Sequence, residues 1–98
     1  MAGYVVALVK FTNRTKEFEE YVIRAEEMTK EYGGAYMIRG PAKKVSEGDY
    51  LEGRSMVVSK FPTFEDAENF FYSDVYQAEV KPLRDNTGIY DVALFESF

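Results

Sequence analysis

The sequence predicts one α+β domain over residues 1–98, ordered β-α-β-β-α-β: a four-stranded antiparallel sheet with both helices on one face. Three observations carry this reading. Four short runs rich in β-branched and aromatic residues alternate with two apolar stripes of helical spacing. Each stripe begins beside a threonine able to cap a helix. The strands are apolar on both faces, as in a sheet covered on each side.

The first strand is Tyr4 to Phe11, closed by Thr12-Asn13-Arg14-Thr15, where Asn13 or Thr15 can cap the helix that follows. Phe18, Tyr21, Val22, Ala25, Met28 and Tyr32 then recur at helical spacing, opposite Lys16, Glu19, Glu20, Arg24, Glu26 and Glu27. Gly33 ends this helix, because glycine takes the left-handed conformation freely. Ala35 to Arg39 is a second strand that Gly40-Pro41 should break, with pairing resuming around Lys43 to Ser46. A long connection leads to the third strand, Ser55 to Phe61. Pro62-Thr63 opens a second helix, with Thr63 as cap, Asp66 three residues on, and Phe64, Ala67, Phe70 and Phe71 as its stripe. After Ser73-Asp74 a short helix over Val75 to Val80 should end at Pro82, and Ile89 to Phe95 forms the last strand.

This order is the ferredoxin-like split βαβ, and right-handed crossovers place both helices on the same sheet face. Yet both faces want burial. Tyr4, Val6 and Leu8 point one way and Val5, Ala7, Val9 and Phe11 the other. Strict alternation sets Ala35 and Met37 against Tyr36 and Ile38, and Tyr90, Val92 and Leu94 against Ile89, Ala93 and Phe95. Two helices serve one face only. A second copy packed sheet to sheet resolves the conflict, so a homodimer is expected.

Composition narrows the function. At 98 residues the chain buries only about 60–65% of its unfolded surface. Against that, 46% of residues are hydrophobic and 16% aromatic, a heavy apolar load consistent with a partner surface. A net charge of −5 argues against nucleic acid and anionic membranes as partners, since phosphate neutralisation needs cationic surface. No Cys and no His are present, which removes thiolate and imidazole ligands, Ser-His-Asp triads and the usual haem ligand. No cofactor and no tightly bound transition metal is expected. The longest apolar run, Val5 to Val9, is strand-sized, so the chain reads as a soluble cytoplasmic protein without a membrane span.

Three stretches together carry a family resemblance: Gly33-Gly34-Ala35-Tyr36-Met37-Ile38-Arg39-Gly40, Arg54 followed after six residues by Phe61-Pro62, and Phe71-Tyr72-Ser73-Asp74-Val75-Tyr76. Their order and spacing resemble the bacterial family known as domain of unknown function 1330, within the dimeric α+β-barrel superfamily. Two departures stand out: Pro41 where many members carry a second Gly, and Phe71 where Trp is frequent. The resemblance implies a dimeric α+β barrel but no settled chemistry. Relatives by fold include cofactor-independent monooxygenases and lactone isomerases.

Arg39, closing an apolar strand, is either a guanidinium facing the interior to hold a carboxylate or a strand-end charge reaching solvent. Tyr72 and Tyr76, flanking Ser73, are hydrogen-bond donors to a ligand or amphipathic packing anchors. Arg54 and Arg84 are further anion-binding candidates, each read as a surface charge. A small aromatic or carboxylated metabolite held by Arg39, Tyr72 and Tyr76 is the expected ligand. The alternatives are a cofactor-independent enzyme on such a metabolite, and a dimer whose role is purely structural.

Overall fold

The computed structural model describes residues 1–98. Strand β1 (Gly3–Phe11) pairs antiparallel with both β3 (Ser55–Phe61) and β4 (Gly88–Glu96), and β2 (Ala35–Pro41) adds to the outer edge of β3. The order β2-β3-β1-β4 is that of the ferredoxin-like α+β fold. Helix α1 (Lys16–Glu31) connects β1 to β2, and α2 (Phe64–Phe71) follows β3.

Of the two residues able to cap α1, Thr15 does so, its hydroxyl accepting from the Phe18 amide at 3.1 Å. At the other end Gly33 adopts φ +82°. Its amide donates to Lys30, and that of Gly34 to Thr29, closing a Schellman turn. Gly34 has a second constraint: a Cβ there would lie 2.6 Å from the Phe61 ring. Thr63 caps α2 by accepting from the Asp66 amide at 3.1 Å.

Three expectations need correction. β2 runs through Gly40 and Pro41 instead of breaking before them; it is an edge strand, where a residue without an N–H is tolerated. Lys43 to Ser46 does not pair and belongs to the connection between β2 and β3. The segment expected to be a short helix is a π-helical turn, Tyr76–Val80, leading into a 3₁₀ turn, Lys81–Arg84. Pro82 sits inside that second turn, near its start, where no intrahelical N–H is required.

A β-bulge in β2 overturns the strict alternation expected there. Tyr36 stands opposite Ser59, but Ile38 stands opposite Val58 and Arg39 opposite Val57, so the register slips by one residue at Met37. Tyr36 and Ile38 therefore lie on opposite faces. Tyr36 and Arg39, three apart and destined for opposite faces of a regular strand, share one.

The helix-covered face holds the core, built on Val5, Ala25, Met28, Phe61, Ala67, Phe70, Phe71, Tyr76 and Val80. The uncovered face carries Tyr4, Val6 and Leu8 beside Val58 and Met56 of β3, Ile38 of β2, and Ala93 and Phe95 of β4. Ile38, Ile89 and Phe95 are each more than half exposed. Only 15 of 98 residues are buried, so a single chain leaves much of its apolar load in contact with water. No helix is long and apolar enough to cross a membrane.

Candidate functional site

Between the sheet and the helices lies a cavity of about 240 Å³, to which every strand and both helices contribute. Of its 21 lining residues 15 are hydrophobic, so its polar groups are few and identifiable. Its aromatic wall is continuous. Phe18 stacks on Tyr21 at 5.8 Å, and Tyr76 leans on Phe70 at 4.9 Å and Phe71 at 5.2 Å.

Ser73 explains how Tyr76 enters this space. Its hydroxyl donates to the Phe70 carbonyl at 2.9 Å and accepts from the Tyr76 amide at 3.1 Å. One side chain thus ends α2 and starts the next turn, and the reversal swings Tyr76 inward. Gln77 reinforces the corner, its side-chain amide donating to the Phe71 carbonyl at 2.8 Å. The same corner leaves Tyr72 outside. Its side chain is 64% exposed, packs edge-on against Phe71, and does not line the cavity. Of the three residues expected to form the site, the fold brings Arg39 and Tyr76 to one cavity and sets Tyr72 apart.

Arg39 stands at the rim with its side chain 51% exposed. The β2 bulge lets its guanidinium lie over the Tyr36 ring, 4.6 Å from the centroid, while Nη1 donates to Glu26 Oε2 at 3.1 Å. Arg54 stays outside the cavity, over the Tyr50 ring at 4.3 Å, with Nε donating to the Tyr50 carbonyl.

Arg84 was read from sequence as a surface charge. It is instead 7% exposed and lines the cavity. Local structure holds it there. The Thr87 amide and hydroxyl both donate to the Arg84 carbonyl, and Thr87 itself is fully buried. With the Thr87 proton committed, the Tyr90 hydroxyl donates back to Thr87 Oγ1 at 2.6 Å. That bond holds the Tyr90 ring beneath the guanidinium at 4.2 Å.

Tyr21 and Tyr76 meet hydroxyl to hydroxyl at 2.8 Å. One donates to the other, leaving one proton of the pair free. Burial is the main cause raising both phenols above the ordinary tyrosine range, well above it for Tyr21, although Arg84 pulls each down. Burial likewise raises Tyr36. At neutral pH these hydroxyls are uncharged donors. No group of three acidic side chains converges as a metal site would require.

Fold and cavity together define a ferredoxin-like α+β domain with an internal apolar pocket. The chain belongs to the family described as Domain of unknown function (DUF1330), whose profile matches residues 2–98. No curated protein matches it. Among solved structures it is similar to a protein of unknown function from Rhodopseudomonas palustris, at 12% identity and TM-score 0.70, covering 99% of this chain and 82% of that one. It is also similar to SnoaB, a cofactor-independent oxygenase from Streptomyces nogalater, at 10% identity and TM-score 0.64, covering 99% and 93%. A conserved protein from Methanosarcina mazei Go1 matches at 13% identity and TM-score 0.56, covering 100% and 94%. At these identities the likeness is one of fold.

Proposed function

We propose that this chain forms a homodimer through the uncovered sheet face, and that each subunit binds a small aromatic or carboxylated metabolite in its cavity. The observation that carries the binding reading is the cavity itself. It is an apolar, aromatic-walled space into which only a few polar groups converge, the usual composition of a small-molecule site. Tyr76 supplies a neutral donor from within, and Arg39 with Tyr36 forms the rim. The dimer rests on the apolar residues that β1, β3, β2 and β4 present away from the helices. Covering them needs an interface above ~1,000 Å² in total.

The binding reading is tested by thermal shift of wild type and Arg39→Ala across a metabolite panel. Expected is a set of aromatic or carboxylated compounds that stabilise the wild type and stabilise the variant less. A panel without any stabilising compound overturns the reading.

A second reading, cofactor-independent turnover of the bound molecule, is favoured by the Tyr21–Tyr76 pair. Two uncharged phenols in a largely apolar space, one with a free proton, suit proton donation to a reacting oxygen. The two readings separate on product formation by any compound that stabilises the protein.

A further inference from the structure

Two arginines line the cavity, and they differ in what already satisfies them. Arg39 is half exposed and ion-paired to Glu26. An anion approaching it meets a carboxylate that holds the same guanidinium. Arg84 is more than nine-tenths buried and takes part in none of the chain's ion pairs. Its only side-chain partners are π faces: Tyr90 at 4.2 Å and, more distantly, Tyr21 at 5.8 Å. Its nitrogens are not sealed off, since the one buried side-chain nitrogen without a partner is on Arg54.

A guanidinium stays charged in any protein setting. Stacking on aromatic faces offsets part of its desolvation but leaves its five N–H donors pointing for acceptors. Burying such a cation without a counter-charge is costly unless something else completes it. The fold nevertheless fixes it firmly, through Thr87 on the backbone and Tyr90 beneath the plane.

We propose that Arg84 is the charge anchor of the cavity, and that the ligand is a small monocarboxylate bound with its charge inward and its apolar body among Phe18, Val22 and Phe70. This rests on the small-molecule reading above and deepens it. Carboxylate matches the planar fork of a guanidinium with two parallel bonds, which a phenolate oxygen cannot do. The free proton of the Tyr21–Tyr76 pair supplies one more donor to the same anion. The volume sets the size: about 240 Å³ lies below the usual range for drug-sized ligands, so a single ring or a short chain fits and a fused polycycle does not. Glu26 at the rim disfavours the reverse orientation.

The test compares benzoate with benzamide, equal in shape and different in charge, by calorimetry on the intact protein. Expected is a preference for benzoate of about tenfold or more in the wild type, as a charge-assisted bond gives. Arg84→Met should abolish the preference by weakening benzoate alone, Arg84→Lys should keep part of it, and Arg39→Ala, which trims the rim, should weaken both probes alike and so leave their ratio in place. Equal binding of both probes by the wild type overturns the anchor while the cavity reading stands. A preference that survives Arg84→Met and vanishes in Arg39→Ala overturns it in favour of the rim. Binding of neither probe by the wild type overturns the anchor, and the metabolite panel decides the cavity reading separately. Should Arg84→Met fail to fold by circular dichroism, the wild-type comparison and Arg84→Lys decide.

Discussion

Replacing Val58 with Glu tests the proposed pairing of two sheets at its centre. Val58 stands between Val6 of β1 and Ile38 of β2 on the uncovered face, with Met56 next on the same side of its own strand. In an isolated subunit a carboxylate there faces water, so the fold should survive with little loss. In a two-fold dimer the same patch meets itself, and each interface receives two carboxylates. A buried charge without a partner costs about 3–5 kcal/mol, so the pair removes about 6–10 kcal/mol of association energy. A micromolar dimer is held by about 8.2 kcal/mol, so the variant should be monomeric at any practical concentration. Light scattering over a dilution series reads this directly, with the 11.3 kDa chain mass expected for Val58→Glu and twice that for the wild type. Circular dichroism checks that the variant is folded. A folded variant that dimerises as well as the wild type would refute the sheet-to-sheet pairing. So would a wild type that is monomeric throughout.

Two further outcomes follow from the helix-covered face. Phe70 is buried and packs against Phe61 at 5.3 Å, Tyr76 at 4.9 Å and Tyr32 at 6.0 Å, so Phe70→Ala should lose about 3–5 kcal/mol in urea unfolding. A loss below ~1 kcal/mol would show that this aromatic cluster does not hold the core as described. On the alkaline side, Tyr21, Tyr36 and Tyr76 all have folded pKa values raised above 10.0, foremost by burial. Below that value they are protonated in both states. Above it the unfolded chain ionises first, so stability is lost as pH rises from about 10. Absorbance at alkaline pH should show these phenols ionising together with unfolding, and ionisation in a fully native chain would contradict their burial.

The fold was legible in the sequence because each of its signals is local. Thr15, Gly33 and Thr63 act through their own backbone neighbours, and the apolar stripes of α1 and α2 pack on the sheet as their spacing requires, Val22 alone staying 40% exposed. The site was legible only in part. Arg39 and Tyr76 are legible as candidates and both line the cavity, but the Tyr72-Ser73 corner that divides inward from outward depends on a side-chain hydroxyl joining two helical turns. The burial of Arg84, a candidate anion binder by sequence, was illegible for a related reason. A lone arginine after Pro82 reads as surface charge, and only the folding of Tyr90 beneath it and the two donors from Thr87 draw it inside. The bulge at Met37 has no sequence marker either, since neither Gly nor Pro stands there. The Tyr-x-x-Arg spacing was its one trace: two side chains that share a face at an odd separation require an extra residue between them.

The assembly and the ligand site proposed above use opposite faces of the same four strands, and this separation is itself testable. In β3, Met56 and Val58 face away from the helices while Ser55, Val57 and Ser59 line the cavity. Arg84, Tyr21 and Tyr76 all reach the cavity from the helical side, away from the uncovered face. Mutations on separate surfaces without shared partners act additively. Monomeric Val58→Glu should therefore retain the benzoate preference of the wild type, and adding Arg84→Met should remove that preference without changing the mass. The measurement is the same pair of titrations, made on the monomer. If the monomer binds neither probe while the wild type binds both, the cavity is not complete within one subunit, and the partner must close or order it across the sheet.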